Sequence, residues 1–455
     1  MPNPRSHSEA NTPPHSARDS ALRVIAQHVR RFPDLEPLAI DERSLSPKDA
    51  GLANAIVDAV LRHWLSLEFI AARFSSRPWN SLSHVVRAAI LAGTAQLLVL
   101  DRIPPHAALH ETVEWIKRES PKASGLVNAI LRRVSELKVE RLDGLTPDSF
   151  PLHATSTRSL AVLSLELPPD PLAKAAVLLS HPEALLRAWA TDFGQDEAVR
   201  LAFHSHARPP ITLNVQWASD ADLAALELTP HSTPGHAVTP LVGARLATAL
   251  NEHRGIWVQD AAAGMAVRSI AHLTPRVVLD ACAGQGTKTR QLAATFPNAR
   301  ILATDVDHAR LSTLSSSTRH LPNVTVIAFD TLRDHAGTFD LILLDVPCTN
   351  TGVLARRTEA RYRTQTGQLD RLASIQEGLI KKAFELLASG RESRVVYSTC
   401  SIDPRENLER VEQAQHRLQT PIELESHHLA LPVGGPGEPP HSYRDGSFSA
   451  ILRRR

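Results

Sequence analysis

The chain has 455 residues, 43% of them hydrophobic, which is enough for two or three domains with a large core. Its 50 basic and 48 acidic residues nearly cancel, so any affinity for nucleic acid must come from local patches. No stretch reaches the roughly 18 consecutive apolar residues of a membrane span, and the N-terminus lacks the apolar segment of a secretory signal. Three widely spaced cysteines argue against a disulfide framework. We expect a monomeric cytoplasmic protein with reduced thiols.

The N-terminal part of the sequence has helical patterns only. Residues 1–17 are rich in Pro, Ser, Asn and His and are predicted to be disordered. From Ser16, a candidate helix cap, apolar residues recur with helical spacing, first at Leu22, Ile25 and Val29. Segments such as "SHVVRAAILAGTAQLLVL" continue the pattern. Residues 18–140 are therefore predicted to form an all-α domain.

The rest of the chain changes character twice. Residues 141–180 contain five prolines and are predicted to be a linker with some helix at its end. Residues 181–255 mix short helices with a strand in "PPITLNVQW", which indicates a small α+β subdomain. In residues 256–455 apolar runs alternate with helical stretches, and this alternation predicts a doubly wound, mostly parallel, Rossmann-like α/β sheet. The predicted strands are "RVVLDA", "RILATDV", "VTVIAF", "FDLILLDV" and "RVVYST".

A glycine-containing loop, "DACAGQGTKT", follows the first of these strands and precedes a helix. Ligands of open α/β sheets bind at such positions. A dinucleotide site would have a third glycine where Thr289 stands, and a phosphate loop fits only at Lys288 and Thr289. The third possible ligand, S-adenosylmethionine, is a cation and favours acidic groups nearby.

Three aspartates end the first three strands. Asp305 lies 25 residues after Asp280, where a carboxylate can accept both ribose hydroxyls. Asp330 is predicted to end the third strand, within reach of the adenine amino group. The alternative is that these aspartates only cap helices.

Two cysteines follow neighbouring predicted strands. Cys348 comes just after "FDLILLDVP" and Cys400 just after "RVVYST". In a parallel sheet both would face the cleft that holds the glycine loop. A lone cysteine is often a small buried hydrophobic residue, but these two follow the apolar runs instead of lying within them. Metal binding is not supported, because Cys282, Cys348 and Cys400 form no C-x-x-C pair and have no histidine at ligand spacing.

Taken together, "DACAGQGTKT", "ATDVD", "DVPCTNTGV" and "VYSTCSIDPREN" resemble the motifs of RNA (cytosine-C5)-methyltransferases of the NOL/NOP/Sun family. The family forms are D-x-C-A-x-P-G-G-K-T, D-A-P-C-S-G-T-G and T-C-S-x-x-x-x-E-N. The likeness spans about residues 180–455, and "RDGSFSAILRRR" is similar to the closing strand of the family. The helical domain resembles the RNA-binding NusB module, through "VRAAILAGTAQLLVLDRIPPHAALHETVE" and "GLVNAILRRV".

This resemblance implies a role for each matching residue. Cys400 would be the nucleophile, and Cys348 would assist removal of the C5 proton and release of the product. Asp345 would bind the base edge and the cofactor, Lys288 would favour the thiolate, and Asn407 would hold the Cys400 loop. The substrate would be a flipped or single-stranded cytosine in RNA, most simply small-subunit rRNA. The implied S-adenosylmethionine site comprises Cys282, Ala283, Gly284, Gln285, Gly286, Thr287, Lys288, Asp305, Asp330 and Asp345.

The sequence departs from the family pattern in three places. Gln285 and Thr287 replace the proline and second glycine of the first loop, Asn350 replaces a glycine, and "RRTEAR" lacks an expected proline. Two other functions stay open: a DNA cytosine-C5 methyltransferase with Cys348 as nucleophile, and an RNA-binding assembly factor with a relic methyltransferase domain. Basic residues are candidates for RNA contacts or for ordinary solvated charges; they are Arg132, Arg133, Arg356, Arg357 and Arg453 to Arg455.

Overall fold

The computed structural model describes residues 16–152, 158–163, 165–224, 226–363, 366–390, 392–418 and 421–455. The chain divides into two compact units, one of residues 1–153 and 157–188 and the other of residues 154–156 and 189–455. Most of the segment predicted to be disordered lies outside the described residues. The first helix begins at Ala17, where the Ser16 side chain caps it by accepting a hydrogen bond from the Asp19 amide.

The first unit begins with a bundle of helices, as predicted. They are α1 (Ala17–Arg31), α2 (Pro47–Ala72), α3 (His84–Leu98), α4 (Pro105–Glu119) and α5 (Ser124–Ser135). Helix α3 packs against each of the other four. Its sequence is apolar on nearly all sides because nearly all of its residues are buried.

The segment predicted as a linker is instead folded. Strands β1 (Val139–Leu142), β2 (Ser149–Pro151) and β3 (Ser159–Val162) form an antiparallel sheet in the order β1-β3-β2. The prolines misled the prediction because they lie at element ends, with Pro151 ending β2 and Pro171 opening helix α6 (Pro171–Leu178). Between them, Phe150 and Leu160 are buried.

The second unit contains a small antiparallel sheet of order β5-β6-β4-β7. Strand β7 extends this sheet to Val258, three residues beyond the predicted boundary at 255. Between α6 and the end of this sheet the chain forms, in order, α7 (Glu183–Phe193), α8 (Gln195–His204), β4 (Ile211–Asn214), α9 (Asp220–Ala224), β5 (Thr229–Pro230), β6 (His236–Thr239), α10 (Gly243–Glu252) and β7 (Trp257–Val258).

A seven-stranded sheet of order β10-β9-β8-β11-β12-β14-β13 forms the centre of the second unit. Strands β8 to β12 are parallel, and β14 runs antiparallel to both β12 and β13. The elements are α11 (Met265–Arg268), β8 (Val277–Asp280), α12 (Thr287–Thr295), β9 (Arg300–Ala303), α13 (His308–Thr318), β10 (Val324–Val326), β11 (Leu341–Asp345), α14 (Thr366–Leu386), β12 (Arg394–Thr399), α15 (Leu408–Arg417), β13 (Ile422–Ala430) and β14 (Ser447–Arg454).

Both faces of this sheet are covered, which explains the unbroken apolar runs of its strands. In β11, Leu341 and Leu343 pack into one core cluster and Ile342 and Leu344 into the other. Because β8, β9, β11 and β12 run parallel, their carboxyl ends lie at a single edge of the sheet. Among the residues that the structure describes, no helix is both long and apolar enough to cross a membrane.

Candidate active site

The two cysteines that follow β11 and β12 meet at this edge of the sheet. The Sγ atoms of Cys348 and Cys400 are 3.3 Å apart, within hydrogen-bond distance for sulfur. Cys348 is 8% exposed, whereas Cys400 is more accessible. The hydrogen bond with Cys400, together with burial, raises the pKa of the Cys348 thiol well above its usual range. Cys348 is therefore held as a neutral thiol beside the more open Cys400.

An ion pair lies beside the cysteines. Lys288 Nζ, from the first turn of α12, donates a hydrogen bond of 2.7 Å to Asp345 Oδ2, and Ser398 Oγ donates one of 2.9 Å to Asp345 Oδ1. Burial alone would lower the pKa of Lys288, but the Asp345 carboxylate outweighs it and raises that pKa overall. Lys288, Asp345 and Cys400 line one cavity of about 50 Å³. The sequence prediction placed these three residues together, and the structure does so.

A buried glutamate connects the two cysteine loops. The carboxylate of Glu406 accepts hydrogen bonds from the amide and the hydroxyl of Thr349, the residue after Cys348. Gln376 Nε2 donates both to Glu406 Oε1 and to the Pro347 carbonyl. Glu406 is fully buried, and this burial raises its pKa. Sequence reasoning assigned no role to Glu406 itself, although it lies in the matched motif "TCSIDPREN".

Asn407 holds the Cys400 loop as the sequence comparison implied. Its Oδ1 accepts a hydrogen bond of 2.6 Å from Thr399 Oγ1, and its Nδ2 donates one of 3.0 Å to the Ser401 carbonyl. These two residues flank Cys400. The side chain of Asn407 therefore sets the turn that carries the thiol.

The loop after β11 passes too close to its neighbours for any side chain at Gly352. A Cβ atom there would lie 2.7 Å from the Cys400 carbonyl oxygen and 2.9 Å from atoms of Gly446. The Gly352 amide donates to the Cys400 carbonyl, and its own carbonyl accepts from the Gly446 amide. Three motifs that are far apart in sequence thus join through backbone hydrogen bonds.

The glycine loop turns between β8 and α12 with two left-handed residues. Gly284 has φ +56° and Gly286 has φ +94°, so both adopt a conformation that glycine favours. Apart from its chain neighbours, no described residue has an atom within 4 Å of a Cβ position on Gly284, whereas a Cβ on Gly286 would meet Leu314 and Ser317 of α13. Gly284 borders open space, and Gly286 is needed for packing. In the same loop Ala283 is buried, Gln285 and Thr287 are exposed, and burial raises the pKa of Cys282.

Two acidic residues support this loop. Asp305 Oδ2 accepts a hydrogen bond of 2.9 Å from the Gly284 amide, and Asp305 Oδ1 accepts one from the Asp307 amide. Asp280 is fully buried, and burial raises its pKa to about 7 despite a hydrogen bond from Thr289. Asp280 Oδ1 has no hydrogen-bond partner among the described residues. Asp280 and Asp305 therefore lie where the sequence predicted them.

Asp330 was wrongly placed by sequence reasoning. Strand β10 ends at Val326, and Asp330 lies in a 3₁₀ helix, Phe329–His335, with an exposed side chain. The apolar residues of "VTVIAF" suggested a longer strand, but Ile327 and Phe329 pack against the core from the turn and the helix. Asp330 therefore does not lie at a strand end, as Asp280 and Asp305 do.

Several of the basic candidates have structural partners. Arg356 Nη2 lies 3.2 Å from Asp260 Oδ2, and Arg356 also pairs with Asp445; both carboxylates are buried. Burial and the charge of Asp445 raise the pKa of Asp260 to about 6. At the chain end, Arg453 pairs with Glu423, and Arg454 donates to the carbonyls of Phe384 and Leu387. Arg132, Arg133 and Arg357 are exposed.

A Rossmann-like sheet of this strand order, with a glycine loop and acidic strand ends at one edge, defines the second unit as a class I methyltransferase domain. The family model for 16S rRNA methyltransferase RsmB/F matches residues 270–453, and the model for the NusB family matches residues 15–136. The solved structure of PH0851 superposes with a TM-score of 0.71 at 19% identity, covering 96% of this chain and 98% of that one. That likeness supports the fold.

The ribosomal RNA small subunit methyltransferase B of Klebsiella pneumoniae (strain 342) is 30% identical over 469 residues, which cover 96% of this chain and 97% of that protein. The protein of the same name from Escherichia coli O6:K15:H31 is 29% identical over 408 residues, covering 86% and 87%. Because the similarity extends over nearly the whole length, the chain belongs to the RsmB/F family of 16S rRNA methyltransferases.

Proposed function

We propose that this protein methylates C5 of a cytosine in small-subunit rRNA, with S-adenosylmethionine as methyl donor and a covalent bond from Cys400 to C6 of the base. The observation that carries this proposal is the pairing of the Cys348 and Cys400 thiols at 3.3 Å, beside the Lys288–Asp345 ion pair. A DNA cytosine-C5 methyltransferase would use Cys348 as nucleophile. The burial of Cys348 and the raised pKa of its thiol disfavour that role.

Three features at this edge of the sheet support an S-adenosylmethionine site. The open space beside Gly284 leaves room against the loop backbone, and Asp305 keeps a carboxylate fixed by two amides. The buried Oδ1 of Asp280, which has no hydrogen-bond partner in the described part of the chain, adds a further acceptor. We propose that these residues and Asp345 hold the cofactor, whose sulfonium supplies the methyl group. Asp330 is less suited, because it is exposed and displaced from the strand end.

Cys400 would start the reaction. Its thiolate forms a bond to C6 of the cytosine, and the electron pair of the C5–C6 double bond makes C5 nucleophilic towards the methyl group. Lys288 is close enough to Cys400 for their charges to interact, and its ammonium group favours the thiolate. Asp345, held by Lys288 and Ser398, would bind the base edge.

Cys348 would complete the reaction. Once Cys400 is bonded to carbon, it no longer hydrogen-bonds Cys348 or repels a negative charge there, so two causes of the raised pKa of Cys348 disappear. Cys348 can then lose its proton to water and accept the C5 proton. The electron pair left at C5 restores the double bond to C6 and expels the Cys400 thiolate.

A denaturing gel with radiolabelled 16S rRNA fragments tests this proposal. Cys348→Ala should still form the bond to C6 but release it slowly, and should therefore accumulate a protein–RNA band that depends on S-adenosylmethionine. Cys400→Ala and the double variant, which is the matched control, should give no band and no methylation. A band from Cys400→Ala alone would reassign the nucleophile to Cys348. A wild-type protein that neither methylates RNA nor binds S-adenosylmethionine would favour the assembly-factor function.

A further inference from the structure

Asn350 has a backbone conformation that few residues adopt. Its φ is +65°, in the left-handed region, where asparagine is the most tolerated residue after glycine. In the motif that this segment resembles, a glycine stands at this position. The substitution therefore keeps the backbone turn and adds an amide side chain next to both cysteines.

The amide of Asn350 contacts each of the two cysteine residues. Its Nδ2 donates a hydrogen bond of 3.0 Å to the Cys348 carbonyl, and its Oδ1 accepts one of 3.2 Å from Cys400 Sγ. A carbonyl can only accept, so the bond to Cys348 determines which end of the amide is the nitrogen. The oxygen must then face the thiol of Cys400.

We propose that Asn350 is a positioning residue that holds the Cys400 thiol in its reactive orientation through the hydrogen bond that its Oδ1 accepts from the S–H group. This inference rests on the proposed role of Cys400 as the nucleophile. An acceptor stabilises the S–H form and offers nothing to the thiolate. A glycine at this position would leave the turn intact but would neither orient the sulfur nor favour its protonated form.

Other charged and titratable groups lie near the Cys400 thiol. Lys288, from α12, lines the same cavity as Cys400, as do Asp345 and Asp445, and the charges of Lys288 and Cys400 interact. Cys348 lies 3.3 Å from Cys400, and the buried Glu406 acts on Cys348. All of them stay in place when only residue 350 is changed. A shift in Cys400 reactivity on substitution of Asn350 therefore reports on its amide.

The test measures iodoacetamide alkylation against pH, with the three cysteines separated by peptide mass mapping, in the full chain without RNA. Asn350→Gly should lower the pH midpoint of Cys400 alkylation by about half to one pH unit, the size expected for one hydrogen bond. Asn350→Ala should shift it equally, with added backbone strain. Asn350→Asp should raise it, because a carboxylate opposes the thiolate. Cys282, whose buried thiol has a raised pKa, should stay unreactive in every variant and is the internal control for unfolding.

Methylation of a 16S rRNA fragment gives the second readout. In Asn350→Gly the Cys400 thiol should be alkylated faster at neutral pH than in the wild type. The variant should nevertheless methylate RNA more slowly than the wild type, by about tenfold or more, because the Cys400 sulfur is no longer held in position for attack. An unchanged Cys400 midpoint in both the glycine and aspartate variants would overturn the inference. A shifted midpoint with a wild-type protein that does not methylate RNA would support the contact and reject the proposed function instead.

Discussion

The carboxylate of Glu406 accepts hydrogen bonds from both the backbone amide and the hydroxyl of Thr349, and thereby joins the loop after β12 to the loop after β11. Glu406→Ala would leave the half-buried Thr349 amide without its acceptor. It would also remove one of the partners of the Thr349 hydroxyl and of Gln376 Nε2, which keep Ser401 Oγ and the Pro347 carbonyl. We expect a loss of about 2–4 kcal/mol in the free energy of unfolding and a methylation rate reduced more than the affinity for S-adenosylmethionine. Urea unfolding and calorimetry measure the two effects. An Ala variant as stable as the wild type would show that the connection is dispensable.

Lys288 should set the reactivity of Cys400 in the direction opposite to Asn350. Lys288→Met removes a cation near the thiol and leaves the Asp345 carboxylate unpaired, so both changes disfavour the thiolate. We expect the pH midpoint of Cys400 alkylation to rise and methylation to fall by about tenfold or more. Lys288→Arg, which keeps the charge, is the matched control and should shift the midpoint less. Equal shifts of the Cys400 midpoint in Lys288→Met and Lys288→Arg would show that the shape of the lysine side chain matters instead of its charge.

The two glycines of the cofactor loop should respond differently to the same substitution. Gly286→Asn places a Cβ 2.9 Å from Leu314 and should lower the free energy of unfolding by about 1–3 kcal/mol. Gly284→Asn enters open space at a φ that asparagine tolerates, so it should preserve stability and weaken S-adenosylmethionine binding about tenfold, or about 1.4 kcal/mol. Unchanged cofactor affinity in Gly284→Asn would place the ligand elsewhere.

Substitutions at the adjacent residues Arg356 and Arg357 should distinguish an effect on stability from an effect on RNA binding. Arg356→Leu leaves two buried carboxylates, Asp260 and Asp445, without their cation, and should destabilise the protein by about 1–3 kcal/mol. Arg357 is exposed, so Arg357→Leu should change stability by less than about 0.5 kcal/mol. Any loss of RNA affinity in Arg357→Leu, measured by filter binding, would then report on a direct contact. Equal destabilisation by both variants would contradict the structural role of Arg356.

Asp280 should make the stability of the protein depend on pH. Its pKa is about 7 in the folded chain, against about 3.9 for an unperturbed aspartate, so folding favours the protonated form. This contribution is fully present below about pH 4 and is lost as the pH rises through 7, with a limit on the order of 4 kcal/mol.

Asp280→Asn keeps the volume and an acceptor for Thr289 but cannot ionise. The stability of the wild type relative to this variant should therefore fall as the pH rises from about 4 to about 7 and should become constant at higher pH. Urea unfolding at several pH values measures this difference. A difference independent of pH would show that Asp280 is ionised throughout.

Much of the active site was predictable because it depends on local pattern and on one rule of sheet geometry. Apolar runs separated by helical stretches predicted the parallel sheet, and the carboxyl ends of parallel strands lie at one edge. This rule predicts that Cys348, Cys400, Asp345 and Lys288 lie together, as they do in the structure. The helical bundle followed from the spacing of its apolar residues in the same way.

The position at which a strand ends depends on the residues that pack against it in the folded protein. The sequence alone was therefore insufficient to predict two such positions. The prolines around Phe150 suggested a linker because composition does not show that the intervening residues pair with Leu160. Asp330 was placed at a strand end because apolar residues in a strand and in the turn that follows it look alike.

The sequence by itself determined which residues are candidates for the chemistry, since the motifs that contain Lys288, Asp345, Cys348 and Cys400 resemble the family motifs in order. Only the tertiary structure decided how those residues are held. Glu406 reaches Thr349, and Asn350 reaches Cys400, across 57 and 50 residues of chain. Such contacts arise when separate strands fold side by side, and nothing in the local sequence pattern of either partner specifies the other.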